Sequence, residues 1–231
     1  MIKIRPRKII WTSKGMRNTL VSSILAAALI ISGCQNTPQV ANPQSRPLLT
    51  SSIEDFIPVP LARQATNYTC GAAAMQSILY YYGDEYREDR LAKRLKSDPD
   101  NGTNYRNMVQ FAQSKGIEVV VRTNLTIDDV KLALHNRKPV IVAFQAWSDN
   151  VSNYADDWED GHYAVIVGYD NDRLYFMDPS TLGNYTFISN SDFLKRWHDI
   201  DADNVTRLQD FGMIFSKDKP AYNPNIILQL E

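Results

Sequence analysis

The chain offers few groups able to form a covalent bond with a substrate. It has two cysteines, Cys34 and Cys70, and three histidines, His135, His162 and His198. Cys70 opens the run CGAAAMQSILYYY at residues 70–82, which is apolar nearly all round and rich in alanine. Such a run is expected to be a helix buried in a core, capped by Thr69 and ended by Gly83. A thiol in the first helical turn faces unpaired backbone N–H groups and the positive end of the helix dipole, and both favour a thiolate. Small residues beside it, Gly71 above all, let a substrate carbonyl approach the backbone, so Gly71 is a candidate substrate-binding position. Against this stands the plain alternative that a free cysteine is a small buried hydrophobe.

A cysteine nucleophile needs a base within hydrogen-bond reach. His162 heads the strand pattern HYAVIVGY, residues 162–169, directly after a long aperiodic segment. It is therefore placed to sit at a cleft edge. His135 and His198 fall in expected helices among charged or polar neighbours and are read as surface residues. A third group follows from strand register. If Asp170-Asn171-Asp172 forms the turn before the next strand, RLYFMD at 173–178, then Tyr169 faces Arg173 and Asp178 faces Ala164. Alternation puts Ala164 and His162 on one face, so Asp178 lies diagonally beside the imidazole. It could then hold the ring as the third group of a triad does. A two-residue turn would instead send Asp178 to the other face. Gln64, six residues before Cys70, carries an amide that could complete an oxyanion hole with the Cys70 backbone N–H.

The elements that must position these groups divide the chain. Beyond the cysteine helix, helices are expected over 85–96, opening after Asp84, and over 104–115, closing at Gly116. Strand pattern follows at 117–122, then a helix opened by Thr126 with Asp129 three residues on, as in a capping box. Residues 140–144, VIVAF, are a strand. A short strand near 184–188, a helix near 191–198 and a strand near 211–215 complete the domain. Helices dominate the first half and strands the second, which argues for an α+β fold with an antiparallel sheet. Between them, residues 147–160 hold Asp149, Asp156, Asp157, Glu159 and Asp160 with no basic residue, together with Trp147, Tyr154 and Trp158. The segment is either a solvated acidic loop or a rim that attracts basic or extended peptides. Trp147 and Trp158 are the candidate substrate-binding residues on it.

Composition bounds the rest. The chain has 231 residues, 44% of them apolar and 22% charged, which is ordinary for a globular protein. The formal net charge of −1 conceals a segregation: six of the 25 basic residues and none of the 26 acids lie in residues 1–33, leaving a net −7 beyond them. Nucleic-acid binding, which depends on Lys and Arg at phosphates, has no electrostatic case. Two cysteines exclude a disulfide-stapled scaffold and a four-cysteine metal site. No G-x-x-x-x-G-K-[ST] phosphate loop is present, so ATP is not an expected partner. The 13-residue apolar run LVSSILAAALIIS, residues 20–32, follows basic residues and precedes Gly33-Cys34. It is short for a membrane span and has the length of a signal-peptide core. Basic start, apolar core and small residues before a cysteine resemble the lipobox of bacterial lipoproteins. That likeness implies cleavage before Cys34, lipidation of Cys34, and an envelope protein on the outer membrane facing the periplasm if the organism has two membranes. The expected organisation is a signal peptide at 1–33, a lipidated Cys34 with a Pro-rich tether at 34–56, a catalytic domain at 57–216 and a C-terminal tail at 217–231.

The run Gln64-Ala65-Thr66-Asn67-Tyr68-Thr69-Cys70-Gly71-Ala72-Ala73, then His162-Tyr163-Ala164-Val165, then Asp178-Pro179, resembles the bacteriocin-leader-processing, or double-glycine, cysteine peptidases. These are cysteine peptidase family thirty-nine of the papain-like clan. The resemblance spans about residues 57–216. It implies a papain-like fold with Cys70 as nucleophile, His162 as general base, Asp178 orienting the imidazole and Gln64 completing the oxyanion hole. It implies a peptide or protein substrate and no cofactor or metal. Because this chain lacks the phosphate loop of the leader-cutting transporters and carries a lipoprotein-like start, it resembles a stand-alone, exported form, and the resemblance leaves leader removal and Gly-Gly specificity open. A second reading uses the same residues, an amidase or acyltransferase in which an amine resolves the acyl-enzyme; a third, a non-catalytic peptide-binding lipoprotein, has no need for all four of them.

Overall fold

A computed structural model describes residues 50–148 and 153–230. The signal segment, Cys34 and the tether up to residue 49 lie outside the described residues. Helix α1 spans Cys70–Tyr81, α2 Glu88–Arg94, α3 Tyr105–Ser114, α4 Ile127–His135 and α5 Asn190–Arg196. The strands are β1 Glu118–Arg122, β2 Val140–Gln145, β3 Gly161–Tyr169, β4 Arg173–Met177, β5 Thr186–Ser189, β6 His198–Ile200, β7 Arg207–Gln209 and β8 Gly212–Ser216. Six of them form one antiparallel sheet in the order β1-β8-β2-β3-β4-β5, and β6 pairs with β7. The α+β class expected from segregated elements is the one observed.

The core lies between α1 and the sheet. Ala72, Ala73, Ala74, Met75, Ile78 and Leu79 are fully buried, as are Val140 to Ala143 on β2 and Ala164 to Val167 on β3. Burying each large aliphatic side chain is worth about 1.5–3 kcal/mol over leaving it in water. The run of small residues lets α1 lie close: a Cβ at Gly71 would sit 2.7 Å from Thr103 Cβ and 3.1 Å from Tyr163 Cδ2. The absence of a side chain at Gly71 thus serves the packing of α1 on β3. Gly83, at φ +93°, ends the helix in the left-handed region as expected. The capping box at α4 is present, with Thr126 Oγ1 accepting from Asp129 N and Asp129 accepting from Thr126 N.

Several local expectations differ. Thr69 does not cap α1 through its side chain, because its hydroxyl is engaged with Thr66. Asp84 does not open α2, which begins after Arg87; its carboxylate pairs with Lys217 instead. The expected helix over 191–198 stops at Arg196, where Trp197, fully buried, breaks the helical backbone. His198 therefore begins β6 and is buried, its Nε2 2.7 Å from the Asp157 carbonyl oxygen, and is not the surface residue expected. Ordered structure also starts before residue 57: Glu54 forms a β-bridge with Tyr169, and Phe56 meets Tyr185 edge to face. At the other end, Ala221 and Tyr222 donate backbone N–H groups to the Tyr81 carbonyl, so the first part of the tail docks at the end of α1.

Candidate active site

The hairpin of β3 and β4 brings histidine and aspartate together, by a route the sequence did not show. At the turn the register is Tyr169 opposite Leu174, one residue off the expected pairing. A bulge between Ile166 and Gly168 then shifts it, giving Ile166 opposite Phe176 and Val165 opposite Met177. One step further, Asp178 falls opposite Ala164, where the three-residue turn had placed it. The bulge sits where residues 53–56 cross the strand: a side chain on Gly168 would strike Ile53 and the Glu54 carbonyl.

His162 Nε2 donates to Asp178 Oδ1 at 2.7 Å, with both side chains buried. Cys70 stands close enough to the imidazole to act on its charge. Burial opposes a charged ring, but the hydrogen bond and charge of Asp178 and the influence of nearby Cys70 outweigh it and raise the His162 pKa to about 9. Asp178 also accepts from Ser180 N and Thr181 Oγ1. Burial works against its charge, yet the bonds from His162, Ser180 and Thr181 hold it below the usual carboxylate range. Phe144, directly across from His162 on β2, meets the imidazole edge-on, and Phe193 of α5 packs behind Phe144 and Phe176. These aromatic contacts fix the ring plane.

Cys70 is buried, 7% exposed, and is the only cysteine among the described residues. It starts α1, whose first-turn N–H groups have no intrahelical acceptor. Because the Thr69 side chain makes no cap bond, it does not consume them. Gln64 is half-buried. Its backbone N–H donates to the Pro179 carbonyl, its Oε1 accepts from Ser180 Oγ and its Nε2 gives one hydrogen to the Thr66 carbonyl. The residue thus ties the loop before Cys70 to the loop that carries Asp178. The loop that carries Asp178 meets His162 on one side and Gln64 on the other, with Cys70 close to the imidazole.

Two cavities flank it. The larger, about 520 Å³, is lined by Phe144, Trp147, Tyr154, Asp178, Phe187 and Arg196 among others. Trp147 is 59% exposed at its lip and held at φ +65°, a strained backbone shape for a non-glycine residue. The smaller, about 270 Å³, includes Cys70, Thr103, Trp158, Tyr163, Asp199 and Asp201 in its wall. Trp158 packs against His198 at 4.4 Å between ring centroids, the rings tilted by 45°, and lies under the Arg207 guanidinium. Gly71 lines neither cavity. Sequence reasoning missed Gln145, fully buried, which donates to the His198 carbonyl and Asp199 and accepts from Asp160 N. It also missed Asp199 and Asp201, although the run Asp199-Ile200-Asp201-Ala202-Asp203 was a visible signal.

An N-terminal helix presenting a cysteine to a histidine on an antiparallel sheet defines a papain-like cysteine-peptidase architecture. The Peptidase_C39 like family matches residues 56–204, more than half of the chain, and the protein belongs to that family. An uncharacterized protein of Methanothermobacter marburgensis is 24% identical over 120 residues, covering 52% of this chain and 71% of the relative. The peptidase domain of Streptococcus ComA, a bifunctional ABC transporter of a quorum-sensing pathway, has the same fold: TM-score 0.50 at 22% identity, covering 68% of this chain and 96% of that one. A double-glycine-motif protease from an AMS/PCAT transporter, solved with its leader peptide, superposes with TM-score 0.50 at 18% identity, covering 69% and 92%.

Proposed function

We propose that this protein is a cysteine peptidase in which Cys70, His162, Asp178 and Gln64 perform the chemistry. One observation carries the reading: His162 is hydrogen-bonded to Asp178 and stands near enough to Cys70 for the thiol to act on its charge. With the imidazole protonated and the thiol ionised, Cys70 Sγ attacks a peptide carbonyl carbon. The oxygen takes up negative charge, which the Cys70 backbone N–H and the second N–H of Gln64 Nε2 stabilise. The tetrahedral species collapses, the C–N bond breaks and His162 gives its proton to the leaving amine. Neutral His162 then takes a proton from water, hydroxide attacks the thioester, and the acid leaves as Cys70 regains its thiolate and His162 its charge. Asp178 keeps the ring oriented and favours its charged form throughout. The leader peptide bound by the double-glycine-motif protease of the same fold supports a peptide as substrate.

The location belongs to the same proposal. Basic residues, a 13-residue apolar run and Gly33-Cys34 support cleavage before Cys34 and a lipid anchor holding the domain at a bacterial envelope membrane. Peptide profiling of a complex proteome with wild type against Cys70→Ala tests the catalytic part. Cleavage products that appear with wild type and vanish with the variant are expected; identical profiles would end the peptidase reading. Metabolic labelling with an alkynyl fatty acid tests the anchor, since Cys34→Ala should lose the label.

A further inference from the structure

The smaller cavity has a chemistry that catalysis does not require. Its wall contains Asp100, Glu159, Asp199 and Asp201 and no Lys, Arg or His. These carboxylates are not equivalent. Asp201 is buried but neutralised by Arg106, and Asp100 and Glu159 stand exposed at the rim. Asp199 is different. It is half-buried, its Oδ1 is held by Gln145 Nε2 at 3.2 Å and by Ile200 N at 2.8 Å, and no hydrogen bond from a described residue reaches its Oδ2. Among the described residues no basic group stands within ion-pair distance of it. Its position is built in: Gly161, the residue before His162, has no side chain, and the Asp199 carboxyl fills the space a Cβ would take. Its free oxygen opens on the cavity, and a half-buried carboxylate without a counter-charge gains when a ligand brings the missing cation.

Cys70 stands in the same wall, so whatever fills this cavity is part of the molecule being attacked. We infer that the cavity is a specificity subsite in which Asp199 receives an ammonium or guanidinium group of the substrate, close to the scissile bond. The inference rests on the peptidase reading for its substrate and names that substrate's class: cationic peptides. The surrounding field agrees. Loss of solvent pushes the Asp199 carboxyl up to about 7, offset in part by the bonds from Ile200 and Gln145 and by His162, and reinforced by Asp201. Tyr163, on the cavity wall, is held well above its ordinary range by burial first and then by the negative charges of Asp199, Cys70 and Asp201. A bound cation restores the Asp199 charge, and the narrow volume favours a side chain over a folded partner. Two sources share this chemistry, a Lys or Arg side chain and a free α-amino group.

Binding to the Cys70→Ala variant separates this inference from the peptidase reading, because it needs no turnover. Peptides of one sequence are scanned with Lys, Arg, norleucine or Glu at each position, N-acetylated or free, and read by fluorescence anisotropy. One position should favour Lys and Arg over norleucine by at least about tenfold, the worth of one partly desolvated charge pair, and disfavour Glu further. If acetylation alone abolishes the preference, the group bound is the α-amine; if it does not, it is the side chain. With active enzyme the same ranking should appear in kcat/KM. Adding Asp199→Asn should flatten the ranking, whereas Asp172→Asn, on an exposed turn, should leave it intact. Equal affinity for Lys, Arg, norleucine and Glu at every position, or a cation preference that survives Asp199→Asn, overturns the inference. Cation-selective binding without cleavage by the active protein would keep the subsite and sink the peptidase reading.

Discussion

The end of β3 separates two unlike spaces. Side chains alternate along the strand, so His162, with Phe144 and Asp178, belongs to one face, and Gly161 and Tyr163 belong to the other. The space on the first face is larger and walled by aromatic rings; the space on the second is smaller and walled by carboxylates and Cys70. Aromatic walls attract in proportion to the area covered and tolerate many shapes. A lone carboxylate attracts one sign of charge and penalises the other. On the proposed function, the difference means that the reacting groups are shared while selection is divided: one side would supply area, the other sign.

The sharpest way to break this division is to remove what both sides share. Cys70→Ala should lower turnover by at least about a thousandfold for every peptide, acidic, basic or aromatic, since the remaining groups give only background rate. Product mass spectrometry would show it, and a loss confined to one peptide class would contradict a common centre. Gln64→Ala should come next, at roughly 10²–10³-fold in kcat with KM little changed, the usual effect of losing one oxyanion donor. If KM moved and kcat did not, Gln64 would be only the brace between the loops before Cys70 and after Asp178.

The histidine gives a pH test. Its pKa is raised to about 9, so the imidazolium persists below that value and is lost as pH rises through it. Activity should therefore fall on an alkaline limb near 9. The same sign holds for stability: the contribution of His162 is full below about 6.5, the unfolded value, and fades as pH passes through about 9. Asp178→Asn removes a cause of the shift, so the limb should move to lower pH while kcat falls at least about tenfold. An unmoved limb would mean that another group sets it. The smallest effect is expected at the aromatic side. Trp147 is mostly exposed, so Trp147→Ala should leave the melting temperature within about a degree and raise KM severalfold for peptides with large apolar residues. Trp158→Ala, which loses its packing against His198 and its contact with Arg207, should lower the melting temperature instead. Equal behaviour of the two variants would erase the contrast between an open lip and a structural ring.

Much of the architecture was legible because its signals are local. The apolar, small-residue run at 70–82, the Thr126–Asp129 cap and the glycines at 83 and 116 each act within a turn of their own position, and the helices stand where those signals stand. The β6–β7 pair was not legible: three-residue strands carry too little alternation to register, and β6 opens at His198, which local pattern had assigned to a helix. The buried Trp197 decides that boundary, and nothing adjacent in the chain announces its burial. Asp178 shows the mixed case. Its face was inferred from a turn length that proved one residue too short, and a bulge over Ile53 and Glu54 restored the register.

By itself the sequence determined most element types, the order of cysteine, histidine and aspartate, and the segregated charge of the first 33 residues, because propensity, periodicity and charge are written residue by residue. Only the tertiary structure decided that Gly71 is spent on packing, that Gln64 joins two loops, and that Asp199 stands beside Gly161 without a counter-charge among the described residues. Those outcomes depend on which surfaces meet across tens of residues of chain to more than a hundred, and close packing permits one such meeting while leaving no local mark of it.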